Sequence, residues 1–154
     1  MIRLASFLAP GDVRPRLGAA EGDLLRDLTA AHGVDWDMRR ALALPIAELR
    51  AFIAAAKVTL PASQCHLLPP IPNPGKIFCV GKNSKVHRAE LVAQGMLKED
   101  PKEPTSFVKL GETLVGDGAR VARPEGITTF DYEPELAFIV TRRAFQVPRE
   151  AARD

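Results

Sequence analysis

Between Pro69 and Gly75 the chain reads Pro-Pro-Ile-Pro-Asn-Pro-Gly, and no helix or interior strand can run through such a stretch. Each proline holds its own φ near −65°, lacks the N–H a ladder or helix needs, and pushes the residue before it toward extended backbone. The segment is therefore a stiff connection. It divides the chain into an N-terminal subdomain, residues 1–68, and a second part, residues 69–154. With 154 residues in all, there is length for one sizeable core but not for two full domains, so the first part is a small subdomain attached to the second.

Ahead of the prolines, Ile2-Arg3-Leu4-Ala5-Ser6-Phe7-Leu8 is a short apolar run bounded by Pro10-Gly11. Arg16-Leu17-Gly18-Ala19-Ala20 runs into Glu21-Gly22-Asp23 as a second strand entering a turn. A small β-meander is the simplest assembly. From Pro45 the period changes: Ile46, Leu49, Ile53 and Ala56 recur at three- and four-residue intervals, the spacing of an amphipathic helix with proline at its start. This helix is expected to cover the meander.

Beyond the prolines, Lys76-Ile77-Phe78-Cys79-Val80 predicts a strand ending at Gly81, and Ser84 sits where it can cap a helix carrying His87, Leu91 and Met96. Thr105 to Leu110 predicts another strand, and Val115-Gly116-Asp117-Gly118 a tight turn. Leu136-Ala137-Phe138-Ile139-Val140 is a continuous apolar run of the kind found in strands buried on both faces. Residues 148–154 have the composition of the first turns of a helix. Strands and helices in this mixture make the class α+β.

Composition excludes several functions. Lys and Arg number 21 against 19 Asp and Glu, and neither sign forms a long run, so the electrostatic footprint of a nucleic-acid binder is missing. No stretch of ~18 apolar residues offers an ordinary membrane-spanning helix. Cys65 and Cys79 form neither a Cys-x-x-Cys pair nor a zinc pattern with His66, and Met1 to Pro10 is too short for a signal peptide. Reduced thiols and a cytoplasmic location are the expectation.

Two small constellations carry chemistry. On a strand, Glu133 and Glu135 project from one face and Pro134 from the other. Two carboxylates so placed suit a hard cation with oxygen ligands, such as Mg²⁺ or Ca²⁺. The alternative is a solvated acidic strand face. His87 and Glu90 are three residues apart, on one face of a helix and within reach of each other. A carboxylate beside an imidazole fixes its tautomer and supports the imidazolium, as a general base requires. Here the alternative is a solvated helix pair. Lys109, at the end of its strand, is read either as a cation aimed at developing negative charge or as a lysine extending to solvent.

The ordered set Leu67-Leu68-Pro69-Pro70-Ile71-Pro72-Asn73-Pro74-Gly75-Lys76-Ile77-Phe78-Cys79-Val80-Gly81-Lys82-Asn83, then His87, then Pro104-Thr105-Ser106-Phe107-Val108-Lys109, then Asp131-Tyr132-Glu133-Pro134-Glu135-Leu136, strongly resembles the fumarylacetoacetate hydrolase family. Arg16-Leu17-Gly18, Glu21-Gly22-Asp23 and Asp27-Leu28 extend the resemblance weakly to the family's variable leading subdomain.

What the resemblance implies is a mixed β-roll of that family's type, preceded by the meander and helix subdomain and commonly assembled as a homodimer. It implies a hydrolase cleaving a C–C bond in a 2-oxo or 1,3-dicarbonyl acid, a small-molecule substrate. Glu133 and Glu135 would hold Mg²⁺ or Mn²⁺, with Ca²⁺ a third option. His87 with Glu90 would activate water, and Lys109 would stabilise the enolate that leaves. Family members also isomerise or decarboxylate related oxo acids. Two departures bear on this reading. Many members carry Asn-Tyr-x-Asp-His, where this chain has Asn83-Ser84-Lys85-Val86-His87. The family's third metal carboxylate lies on a strand beyond the helix expected at 148–154, which implies a β-roll incomplete at its C-terminus. The rival reading is a catalytically silent remnant or interaction module.

Overall fold

Alternation along the first two strands decides which side chains share a face. β1 (Leu4–Leu8) pairs antiparallel with β2 (Arg16–Glu21), placing Leu4 opposite Ala19 and Ser6 opposite Leu17, so these four share a face. β2 turns at Gly22 into β3 (Leu24–Asp27), and the short strands β4 (Thr59–Pro61) and β5 (His66–Leu67) join at the two edges. The result is a five-stranded antiparallel sheet in the order β4-β3-β2-β1-β5. The expected meander is its centre. β4 and β5 are three and two residues long, too short for any hydrophobic period to register.

The computed structural model describes every residue except Asn83, 99–102, Pro104 and 153–154. Three helices, α1 (Leu28–His32), α2 (Met38–Leu42) and α3 (Ile46–Ala55), contribute to the core. Leu17 and Ala19 of β2 form one buried cluster with Leu28, Met38, Ala41, Leu49 and Ala56, and Leu4, Phe52, Ile53 and Ile71 pack against it. α3 is the helix expected after Pro45. The two five-residue helices are too short to show a 3.6-residue period. Their signal lay in Asp27 and Asp37, each of which caps a helix with its side chain, accepting from the Ala30 and Arg40 N–H groups.

Asp27 does more than cap. It is 1% exposed. Its Oδ1 accepts from the Ala30 N–H at 2.9 Å, its Oδ2 from Arg16 Nη1 at 2.6 Å, and its own N–H donates to Val58 O at 2.8 Å. Arg16 also donates to Asp12, and the bonds to Asp12 and then Asp27 hold its guanidinium above the ordinary value. Two positions further on, Thr29 Oγ1 accepts from the buried Leu17 N–H at 2.8 Å. α1 is thus tied to β2 by side chains as well as by packing.

Aromatic contacts fix α1 to α3. The His32 ring stacks on Phe52 with centroids 3.7 Å apart and 15° between planes, and its Nε2–H donates to Phe52 O at 2.8 Å. Trp36 lies 4.3 Å from the same phenyl ring. His32 is a structural residue. Arg26 Nη1 donates to Ala56 O, joining β3 to the residue that closes α3.

The chain divides into two compact units, Met1–Ile71 with Gly116–Asp154, and Pro72–Val115. The front of the proline stretch is anchored in the first unit, where Leu68 N–H donates to Ser6 O and Ser6 Oγ donates to Pro70 O at 2.6 Å. Gly116 also belongs there. A Cβ on it would lie 2.0 Å from Leu67 O, so only glycine allows that approach. The second unit holds β6 (Ile77–Gly81), α4 (Lys85–Ala93) and β7 (Thr105–Lys109), with β6 and β7 antiparallel. Ser84 stands at the N-cap without a side-chain bond, and α4 stops before Met96 because Gly95 adopts φ +71°. Antiparallel sheets with short helices make the class α+β, as expected.

The structure departs from expectation in the last forty residues. No strand forms at 136–140 among the described residues, and Leu136, Phe138 and Val140 are 89%, 89% and 80% exposed. A strand exists only through a ladder partner, which apolarity by itself does not supply, and no described segment pairs with this one. At 149–151 the chain makes a single 3₁₀ turn in place of a helix.

Asp27→Ala removes a cap and a bond to a charged group, so it is expected to cost about 2–4 kcal/mol, read as a lower urea midpoint. Asp27→Asn keeps the cap and should lose about half as much. Wild-type midpoints for both would show that Asp27 organises nothing. A second expectation concerns Cys65, whose thiol is pushed up by burial and then by the Asp27 charge. Its alkylation should accelerate only above the ordinary thiol range of about 8.5, and Asp27→Ala should move that rise to lower pH. A mass-resolved iodoacetamide time course at several pH values reads this out, and a rise at or below the ordinary range would contradict it.

Candidate functional site

In the second unit, β6 delivers the chain to a sharp change of direction. Gly81 is its last residue, and Thr105 opposite donates from Oγ1 to Gly81 O at 2.6 Å, pinning that end of the ladder. Lys82 then adopts φ +54°, a left-handed conformation that costs a residue with a side chain on the order of 1 kcal/mol or more. Helix α4 follows. Asn83 and Pro104 of the sequence motifs lie outside the described residues.

On α4 the three-residue spacing does what helical geometry requires, bringing His87 Nδ1 to 3.5 Å from Glu90 Oε2. Their side chains are 49% and 59% exposed. At that separation the pair is an ion pair when the imidazole is protonated and is longer than a good hydrogen bond when it is not. Both groups are open to water, so a water molecule can reach the ring without any rearrangement of the helix.

Lys109 ends β7 and is paired with Ile77, the first residue of β6, whereas α4 follows the last residue of β6. Four residue steps, about 13 Å of strand, separate the two ends of this ladder. Lys109 is exposed, and among the described residues no hydrogen bond or ion pair joins it to His87 or Glu90. The structure brings the dyad together and leaves the lysine apart from it.

Glu133 and Glu135 belong to the first unit, on exposed backbone outside any strand. The shared face expected of them needs the missing ladder. Among the described residues, no group of three or more His, Cys, Asp or Glu side chains converges on a point where a metal ion would sit. In kind, however, the donors suit a hard cation: two carboxylates one residue apart, accessible to water, are what Mg²⁺ accepts when waters or substrate oxygens complete its shell.

One feature of α4 escaped the sequence reading. A cavity of about 440 Å³ is lined by Lys85, Arg88, Ala89, Val92 and Ala93, residues at i, i+3, i+4, i+7 and i+8. That is one helix face, and His87 and Glu90 lie on the other. The spacing of the small apolar residues was the available signal.

Comparison with known proteins reaches over most of the chain. The family model described as "Fumarylacetoacetate (FAA) hydrolase C-terminal" matches residues 76–154. Oxaloacetate tautomerase fahd2, mitochondrial, of Xenopus laevis is 31% identical over 159 aligned residues, covering 99% of this chain and 48% of the relative. Oxaloacetate tautomerase YisK of Bacillus subtilis is 36% identical over 94 residues, covering 60% of this chain and 30% of the relative. The maleylpyruvate hydrolase of Aquipseudomonas alcaligenes is 31% identical over 153 residues, covering 88% and 53%. The chain spans about half the length, or less, of these curated relatives. Because the matched stretch runs from the strand that feeds the His87 helix to well past Glu135, the chain belongs to the fumarylacetoacetate hydrolase family.

Proposed function

We propose that this chain supplies the general base and two metal-binding carboxylates of an enzyme that acts on a 2-oxo or 1,3-dicarbonyl acid, cleaving a C–C bond by hydrolysis. The observation that carries the reading is the His87–Glu90 pair, held at 3.5 Å and open to water inside the stretch matched by the family model. The fold it belongs to is the family's mixed β-roll.

The chemistry asked of these residues is modest and specific. His87 takes a proton from water, Glu90 holds the ring in the tautomer that can accept it, and a positioned base of this kind contributes roughly 10²–10⁴-fold. Lys109 is read as the cation that meets enolate charge as the bond between two carbonyl groups breaks. Glu133 and Glu135 would hold Mg²⁺ or Mn²⁺, with Ca²⁺ as a third option. When bound, such an ion supplies Lewis-acid polarisation of a carbonyl oxygen. A reducing, cytoplasmic setting suits the two free cysteines, and no helix among the described residues is long and apolar enough to cross a membrane.

A second reading has its own support, since two of the relatives described above are named as oxaloacetate tautomerases and one of those similarities extends over 99% of this chain. Tautomerisation also needs a base, but one that moves a proton between carbon and oxygen of the substrate rather than one that activates water. Product analysis separates the two.

His87→Ala is expected to lower turnover of an acylpyruvate by about 10²–10⁴-fold, and Glu90→Gln by less. Glu133→Gln is expected to abolish Mn²⁺ binding followed by electron paramagnetic resonance. Turnover at the wild-type rate in His87→Ala would sink the proposed base, and Mn²⁺ binding unaffected by Glu133→Gln would sink the proposed metal carboxylates. Enol–keto exchange of oxaloacetate without cleavage would select the tautomerase.

A further inference from the structure

The cavity beside α4 takes no part in the chemistry proposed above. Lys85, Arg88, Ala89, Val92 and Ala93 enclose about 440 Å³, a volume within the range of small-molecule sites, about 300–1,000 Å³. The lining is sorted along the helix. Its two cations fall in the first four residues of α4 and its three apolar side chains in the turns that follow. From Lys85 to Ala93 is about 12 Å of helix axis. Among the described residues no acid lines the space.

Nothing in the helix itself favours this arrangement. Like charges three residues apart are neighbours on a helix surface and repel one another. Cations are also least favoured at the N-terminal end, where the macrodipole is positive. No acidic residue in the first turn offsets them, and no residue of α4 is buried. A nine-residue helix without a buried face is marginal on its own hydrogen bonds. An anion held between Lys85 and Arg88 would make both electrostatic contributions favourable, and an apolar group over Ala89, Val92 and Ala93 would supply the missing burial.

We propose that this face of α4 binds a small organic anion with an apolar tail, its carboxylate or phosphate head between Lys85 and Arg88 and its tail along Ala89, Val92 and Ala93. A guanidinium offers parallel N–H donors that match two oxygens of either head, and an ammonium adds a second, compact charge. A bare anion would leave the apolar half of the cavity empty. A partner helix, about 10–12 Å across with its side chains, is too wide for a space of this volume.

His87 and Glu90 lie on the other side of the helix, so a molecule bound here is not presented to the dyad. The site is a second one, and it stands whether or not the proposed hydrolysis is correct. Its influence passes through the helix. A ligand that binds the folded helix and not the unfolded segment stabilises it, and the helix is what holds His87 3.5 Å from Glu90.

Isothermal titration calorimetry of the chain with hexanoate and with hexyl phosphate should show saturable binding, at least tenfold tighter than acetate or inorganic phosphate, because the tail buries several methylene groups. The tighter of the two names the head. Lys85→Gln and Arg88→Gln should each weaken binding about tenfold, the equivalent of one charge-assisted hydrogen bond. Glutamine keeps the helix propensity of the residues replaced. Val92→Asp retains both cations and should erase the advantage of hexanoate over acetate. Amide hydrogen exchange over residues 85–93 should slow when the tighter ligand is added. Absence of saturable binding by either amphipathic anion overturns the proposal, as does binding indifferent to both glutamine variants. Acetate as tight as hexanoate, with inorganic phosphate as tight as hexyl phosphate, overturns the apolar subsite, and unchanged exchange overturns the stabilisation of α4.

Discussion

The N-terminal half is organised around a buried carboxylate. Asp27 is simultaneously the last residue of β3, the cap of α1 and the partner of the Arg16 guanidinium on the neighbouring strand. A charge this deeply buried is costly unless every oxygen is satisfied, and here both are. The direction in which α1 leaves the sheet is thereby set. With α1 in place, Leu28 meets Leu17 and Ala19, and α2 and α3 have a surface on which to bury Met38, Ala41 and Leu49. The unexpected short helices exist because this anchor and the packing it directs compensate for elements that would be marginal alone.

The chemistry-bearing residues live under different conditions. His87, Glu90, Lys109, Glu133 and Glu135 are all exposed, so none draws on the low dielectric that strengthens charge interactions inside proteins. Only the His87–Glu90 pair is assembled by local geometry, because a helix brings residues three apart together whatever surrounds it. The carboxylates at 133 and 135 need a strand to share a face, and the ladder that would make one is not formed by the described residues.

Most of the fold that depends on local signals was legible in the sequence. The meander centre, the helix after Pro45, the strand at Ile77 and the helix bearing His87 all rest on runs long enough to show a period or on strong punctuation by proline and glycine. The elements that escaped were β3, β4, β5, α1 and α2. Each is five residues or fewer, and each forms because a neighbour is already in place. The Leu136–Val140 run misled in the opposite way: its apolarity describes what the segment would bury, and burial requires a partner that composition does not specify.

What the sequence by itself determined is the local chemistry. It set the order of the motifs, the His87–Glu90 spacing, the paired carboxylates around Pro134 and the stiff proline connection. Such features follow from covalent geometry and from the periodicity of a single element. Tertiary structure alone decided that Asp27 would be buried and fully satisfied, that Lys109 would lie at the opposite end of the ladder from the start of α4, and that the most apolar stretch would stand open to solvent. Each of those depends on which distant segment becomes a neighbour, and strand pairing and burial are properties of that relation rather than of the residues that enter it.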